Sequence, residues 1–194
     1  MTTSSVFESK NLCFKPLEKK YLATYCAWLN DLRINKFLGP ITGSVFTREK
    51  VEEWYEEMKE QDEKRIFNLH LKGGPEEPIG YCGLYGINHR HSRGTIQVII
   101  GEKEKQDKGY GTEATKTLLD YGFSVLGLRN ISLSMMETNE KARRVPKKLG
   151  FREAGRLRDY WKVNGQFRDR LLMDISKEEF YEKNESSLHE NYLT

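Results

Sequence analysis

Residues 106–128 read QDKGYGTEATKTLLDYGFSVLGL. The stretch opens on a polar segment broken by glycines and continues as a long amphipathic helix. Gly109 and Gly111 stand at the helix start, directly after the charged run EKEKQDK. Glycine there lets backbone N–H groups face a concavity without a side chain in the way. At a helix N-terminus those groups and the helix dipole suit a phosphate or pyrophosphate. Gln106 adds a side-chain amide donor and Lys108 a positive charge. The same spacing also suits a tight turn before a surface helix, so the rest of the chain must decide. The loop is not a P-loop, because no GK[ST] occurs in it. It is not a dinucleotide-type GxGxxG either: Thr112-Glu113-Ala114 follows the second glycine, and no acidic residue caps a following strand at the expected distance.

Outward from this stretch, the hydrophobic spacing predicts one mixed α/β domain. Leu12–Leu17 reads as a strand that Pro16 confines to an edge or strand end. Leu22, Tyr25, Cys26 and Leu29 recur at helical spacing, residues 31–46 read as irregular with Gly39-Pro40 and Gly43 as turn signals, and Thr47 opens a second helix through Val51, Trp54, Tyr55 and Met58. Arg65–Leu71, Ile79–Ile87 and Thr95–Ile100 are strands, followed by the glycine-opened helix. A strand around Asn130–Met136 leads to a helix from Asn139 to a glycine cap at Gly150. Phe151–Val163 and Gln166–Ile175 flank Asn164-Gly165, a strong hairpin signal. The domain is expected over residues 10–176, with a polar helix and loose tail over 177–194.

Composition narrows the function. The chain has 194 residues, 37% hydrophobic and 31% charged, with 32 basic against 29 acidic residues. A net charge of +3 gives no footing for nucleic-acid binding. No apolar run spans a bilayer, and MTTSSVFESK lacks the apolar core of a signal peptide. Cys13, Cys26 and Cys82 have no metal-ligand spacing, so reduced thiols, no metal and a cytoplasmic location are expected.

The QxxGxG order after Gln97-Val98-Ile99-Ile100 resembles the pyrophosphate signature of the GNAT acetyltransferases. Asn139-Glu140-Lys141-Ala142 with Lys148-Leu149-Gly150-Phe151 is similar to that superfamily's N-x-x-A…K-x-G-F helix. Leu17-Glu18 and Trp28-Leu29-Asn30-Asp31 resemble the start of its ribosomal-protein N-acetyltransferase branch. Glu153-Ala154-Gly155-Arg156 and Gly165-Gln166-Phe167-Arg168-Asp169 resemble the end of that branch. The likeness covers roughly residues 10–175. It implies the GNAT fold: a central, mostly antiparallel sheet of about seven strands, splayed between strands four and five and flanked by about four helices. It also implies acetyl-CoA as cosubstrate. Ile99, Ile100 and Gly101 would then offer backbone groups to the pantetheine arm. Gln106, Asp107, Lys108, Gly109, Tyr110, Gly111 and Thr112 would cradle the pyrophosphate. Asn139, Ala142 and Lys148 would flank the thioester and the rest of the cofactor. Lys141, Arg143, Arg144, Lys147 and Lys148 either meet the 3′-phosphate or form a solvated face.

The implied reaction is direct attack of an amine on an acetyl thioester. It needs a neutral amine, a polarised carbonyl and a proton for the leaving thiolate. The resemblance breaks at the proton carrier. Pro146 stands where many relatives have a tyrosine, and Ala142 where the ribosomal-protein branch often has a serine. Proline in the helix interior also removes a hydrogen bond and should kink the helix. Gln97 occupies a place where some relatives carry an acidic base. No residue is therefore assigned the proton transfer; Tyr85, His89, His91 and Glu137 are candidates, beside ordered water. Cys82 reads as a small core residue.

The acceptor is expected to be a primary amine, on a small molecule or a protein N-terminus. Ile87-Asn88-His89-Arg90-His91, Asp120-Tyr121-Gly122-Phe123 and Asn164–Arg168 resemble spermidine N-acetyltransferases, which leaves a polyamine as the alternative. A CoA-binding module with little turnover is another. Neither nucleic acid nor membrane is expected as a partner, and the resemblance allows a homodimer.

Overall fold

The structure, a computed structural model, describes residues 4–38, 42–59 and 62–184. Strands β1 (Phe7–Glu8), β2 (Leu12–Pro16), β3 (Arg65–Leu71), β4 (Gly80–Asn88), β5 (Arg93–Ile100), β6 (Asn130–Met136), β7 (Arg152–Val163) and β8 (Gln166–Ser176) form one sheet. Their order is β1-β2-β3-β4-β5-β6-β8-β7. The β5–β6 pair is parallel and the other neighbours are antiparallel.

Alternation along the strands divides the apolar residues between two faces. Tyr81 and Ile99 join Leu22, Tyr25, Trp28 and Leu29 of α1 (Leu22–Asn30) and Val51 and Tyr55 of α3 (Arg48–Lys59). Cys82, Leu84, Ile96, Ile131 and Met135 point the other way. They pack with Leu118 and Leu119 of α4 (Tyr110–Asp120), Leu149 of α5 (Glu140–Leu149) and Phe180 of α6 (Lys177–Lys183). Burying each such large side chain contributes about 1.5–3 kcal/mol, which makes these two interlayers the main support of the sheet.

The splayed, mostly antiparallel sheet of the sequence reading is present, with two additions. An eighth strand, β1, turns back on β2 ahead of residue 10, where the domain was expected to begin. The turn is closed by Ser9 N–H donating to Leu12 O at 2.8 Å, and Phe7 stacks on Phe14 and Tyr121 at centroid distances of 4.4 and 4.8 Å. Within residues 31–46, read as irregular, Leu32–Asn35 form a short helix, α2, because the Asp31 side chain accepts from Arg33 N and caps it. Gly43 lies in a turn at φ +76°, whereas the Gly39-Pro40 signal lies outside the described residues. Buried Asn35 holds this connection: its amide donates to Leu29 O at 2.7 Å and to Ser44 O at 3.2 Å. Asn30 ties Phe46 to α1 through both of its amide atoms.

After α4 the chain widens into a π-helical turn over Tyr121–Val125. Asp120, buried at its start, accepts from the Tyr181 hydroxyl at 2.7 Å and so ties α6 to α4. Helix α5 continues through Pro146 to Leu149, and Gly150 caps it as expected. The polar helix expected after residue 177 is α6; the tail from residue 185 lies outside the described residues. No helix among the described residues is long and apolar enough to cross a membrane.

Candidate active site

The β5–β6 ladder holds at only three pairs: Arg93↔Asn130, Gly94↔Ile131 and Thr95↔Ser132. Past Thr95 the two strands diverge, each keeping a partner only on its outer side, β4 for one and β8 for the other. Strand periodicity decides which peptide groups line the gap. Asn130 N–H donates to Ser92 O, so even-numbered residues of β5 and β6 face each other. On the far side of β6, Lys177 N–H donates to Arg129 O and Glu137 N–H to Asp169 O, which turns its odd-numbered residues to β8. The Ile96 carbonyl, the N–H and C=O of Val98 and the Ile100 N–H therefore face the N–H and C=O groups of Ser134 and Met136 across an open wedge. Such groups need a partner, from water or from a ligand lying between the strands.

At the wide end of the wedge stands the start of α4. Gly109 is its N-cap at φ +88°, a conformation that costs other residues steric strain. The first helical hydrogen bond runs from Glu113 N to Gly109 O at 3.0 Å. The N–H groups of Tyr110, Gly111 and Thr112 precede it and point out of the helix end. A Cβ at Gly109 would meet nothing within 4 Å, and one at Gly111 only Ile100 Cγ1 at 3.8 Å. The protein's own packing leaves both positions open, as close approach of a phosphate to the backbone requires.

Three contacts fix this helix start. Gln106 Nε2 donates to Ile100 O at 2.9 Å, so the amide expected to face an anion fastens the loop to the end of β5. The Glu113 carboxylate accepts from Asn11 N at 2.6 Å, Ser9 Oγ at 2.7 Å and Asn11 Nδ2 at 2.9 Å, which anchors α4 to the β1–β2 turn. Burial pushes the Glu113 carboxyl up, but these hydrogen bonds together outweigh it and hold its pKa below the usual value. Asp107, at φ +58°, pairs with Lys141 of α5 at 2.7 Å.

The other expected residues fall around the same wedge. Gly101 follows β5 with its N–H committed to Ile79 O at 2.9 Å, and the backbone of Ile99 faces β4. Gly101 lies beneath Trp28: a Cβ there would stand 2.1 Å from the indole ring, whose Nε1 donates to Glu102 at 3.1 Å. Asn139 caps α5, its Oδ1 accepting from Ala142 N at 3.2 Å, and Lys148 is exposed on the last turn. Val98, Ile96, Ser134 and Met136 were not singled out from the sequence. Alternation revealed two sets of β5 residues but not which of them faces β4.

Among the candidates for proton transfer, Tyr85 lies half-buried on the α1–α3 face of β4, and burial raises its phenol well above the ordinary value. Glu137 follows the open end of β6 with a buried Oε2 that has no hydrogen-bond partner among the described residues. His89 and His91 sit in the exposed β4–β5 turn, beyond the closed end of the wedge. Pro146 is buried in α5 and Cys82 is fully buried; burial also raises the Cys82 thiol.

A mixed sheet parted along one parallel pair, with a glycine-opened helix start at the mouth of the parting, defines a CoA-dependent acyltransferase. Peptide edges suit the pantetheine amides, and the helix start suits the pyrophosphate. The chain belongs to the acetyltransferase (GNAT) domain family, whose family model matches residues 11–152. It is 34% identical over 166 residues to a spermidine N(1)-acetyltransferase of Escherichia coli K12, covering 86% of each chain. A putative ribosomal N-acetyltransferase of Bacillus subtilis is 33% identical over 101 residues, 52% of this chain and 55% of the relative. The fold is also that of the crystal structure of spermidine N-acetyltransferase from Vibrio cholerae in complex with CoA and spermine. The TM-score is 0.81 at 26% identity, covering 89% of this chain and 99% of that one. The chain is thus a GNAT N-acetyltransferase, with acetyl-CoA as its acetyl donor.

Proposed function

We propose that the wedge between β5 and β6 holds the pantetheine arm, that the N–H groups of Tyr110, Gly111 and Thr112 hold the pyrophosphate, and that a primary amine enters from the α1–α3 face. The observation that carries this reading is the coincidence of unpaired strand edges with a glycine-opened helix start. Acetyl-CoA supplies an activated thioester. The chain supplies orientation: it holds the donor along β5 and admits the amine over Tyr85, Gln97 and Tyr81. Orientation of this kind carries much of such a reaction, with water moving the protons where Pro146 and Ala142 offer none. Tyr85, kept protonated by its burial, is the phenol placed to assist.

A second acceptor reading, a polyamine, is favoured by the similarity to spermidine N-acetyltransferases. Holding a polycation calls for several carboxylates. In the acceptor region Asp31 is engaged by Arg33, Glu52 by Lys19, Glu56 by Lys59 and Glu57 by Lys64, while Glu53 stands outside these pairs. A peptide N-terminus, as on a ribosomal protein, calls for no such acidic set. A homodimer and a cytoplasmic location fit either acceptor.

The test is CoA thiol release from acetyl-CoA with spermidine, simple monoamines, aminoglycosides and peptides with free N-termini. Release dependent on an amine is expected. Spermidine as the best acceptor would narrow the reading to polyamines, and a peptide would favour the protein acceptor. Acetyl-CoA binding without release for any amine would point to a binding module.

A further inference from the structure

The mouth of the cofactor wedge is spanned by one ion pair. Asp107 lies in the loop before α4, two residues ahead of Gly109, and Lys141 lies in the first turn of α5. Their side chains meet at 2.7 Å while remaining 69% and 76% exposed. A pair this exposed adds little to stability, so it exchanges partners readily. Its position is less neutral. A carboxylate beside a helix start interacts favourably with the dipole, which is the interaction an incoming phosphate would use. Lys141, meanwhile, is a cation held beside the same opening. Of the other cations there, Arg143 is engaged by Glu153, and Lys108 forms no ion pair among the described residues.

We propose that Asp107 and Lys141 form an exchangeable strap across the cofactor mouth, the Asp107 carboxylate occupying Lys141 in place of a cofactor phosphate. This inference rests on the cofactor site proposed above. When a phosphate-bearing ligand enters, Lys141 transfers its ion pair to the ligand, and the displaced carboxylate lowers the net affinity by repelling it. The chain thereby carries a built-in competitor for its own donor. The device sets affinity for CoA species.

Asp107→Asn separates the charge from the backbone, since asparagine tolerates the left-handed conformation at this position as well as aspartate does. Acetyl-CoA binding is measured by calorimetry, without an acceptor, on the unmodified chain, Asp107→Asn, Lys141→Met and the double variant. At about 20 mM salt, where screening is weak, Asp107→Asn is expected to tighten binding by roughly three- to tenfold, and Lys141→Met to weaken it by about fivefold. In the Lys141→Met background the gain from Asp107→Asn should shrink, because the two residues act through one contact. At about 300 mM salt both effects should fall toward unity. An Asp107→Asn protein that binds no more tightly than the unmodified chain, or a gain of equal size in both backgrounds, overturns the strap. If the unmodified chain binds no acetyl-CoA at all, the cofactor site itself fails and the strap fails with it.

Discussion

Gly101 and Gly111 are ten residues apart and stand under opposite demands. Trp28 leaves no room for a Cβ at Gly101, so Gly101→Ala should cost about 1–3 kcal/mol through overpacking, read from the urea midpoint. No packing forbids a Cβ at Gly111, and alanine there should leave stability equal or higher by about 0.5 kcal/mol through helix propensity. The same Gly111→Ala change should weaken acetyl-CoA binding by roughly tenfold, or about 1.4 kcal/mol. A variant that is stable yet binds poorly would separate a glycine kept for a ligand from one kept for the fold. Both glycines were visible in the sequence, but only for Gly111 was the reason legible there. The demand at Gly101 comes from a tryptophan 73 positions earlier in the chain, a pairing that local pattern does not encode.

At the scale of elements, α4 owes its placement to a contact with the N-terminal turn. Glu113 accepts hydrogen bonds from Ser9 and Asn11, and its folded pKa is lowered. Its contribution is therefore present above the unfolded carboxyl pKa and is lost as pH falls through the folded value. Glu113→Gln should cost about 1–2 kcal/mol at pH 7, a value reduced by partial solvation. The difference from the unmodified chain should fade below about pH 4. Urea unfolding at both pH values checks it.

Helix α5 makes a second case. Proline at position 146 lacks an N–H to donate to Ala142 O, yet α5 continues past it because buried packing on that side supports the turn. Pro146→Tyr restores both the donor and a phenol at the position where the resemblance to the GNAT acetyltransferases implies one. If proton transfer to the thiolate limits turnover, kcat at saturating acetyl-CoA should rise roughly tenfold or more. The helices themselves were legible from spacing and caps. β1 and α2 were not, because each depends on one turn: Ser9 to Leu12 for the first, Asp31 to Arg33 for the second.

For the molecule as a whole, the decisive feature is that one sheet parts after three parallel pairs. The amides of Val98 and Ser134 face the gap, so in the free protein they should exchange with solvent faster than their neighbours turned to β4 or β8. Saturating acetyl-CoA should slow them by about tenfold or more in hydrogen-exchange NMR. His89 and His91 lie past the closed end of the parting, and replacing both with alanine should leave kcat/KM within about twofold. Hydrophobic spacing predicted seven of the eight strands, and the resemblance of the glycine loop and the Asn139 helix to the GNAT acetyltransferases implied the parting. The orientation of the peptide groups emerged only from the register, since alternation alone is symmetric between the two sides of a strand.

The indole of Trp28 rests on Gly101 and reaches Glu102, immediately before the loop that opens α4. Any adjustment of that loop alters the polarity around one of the chain's three tryptophans. The protein thus carries its own optical reporter: emission from Trp28 should shift on titration with acetyl-CoA. Donor occupancy can then be followed in dilute solution without label or coupled assay.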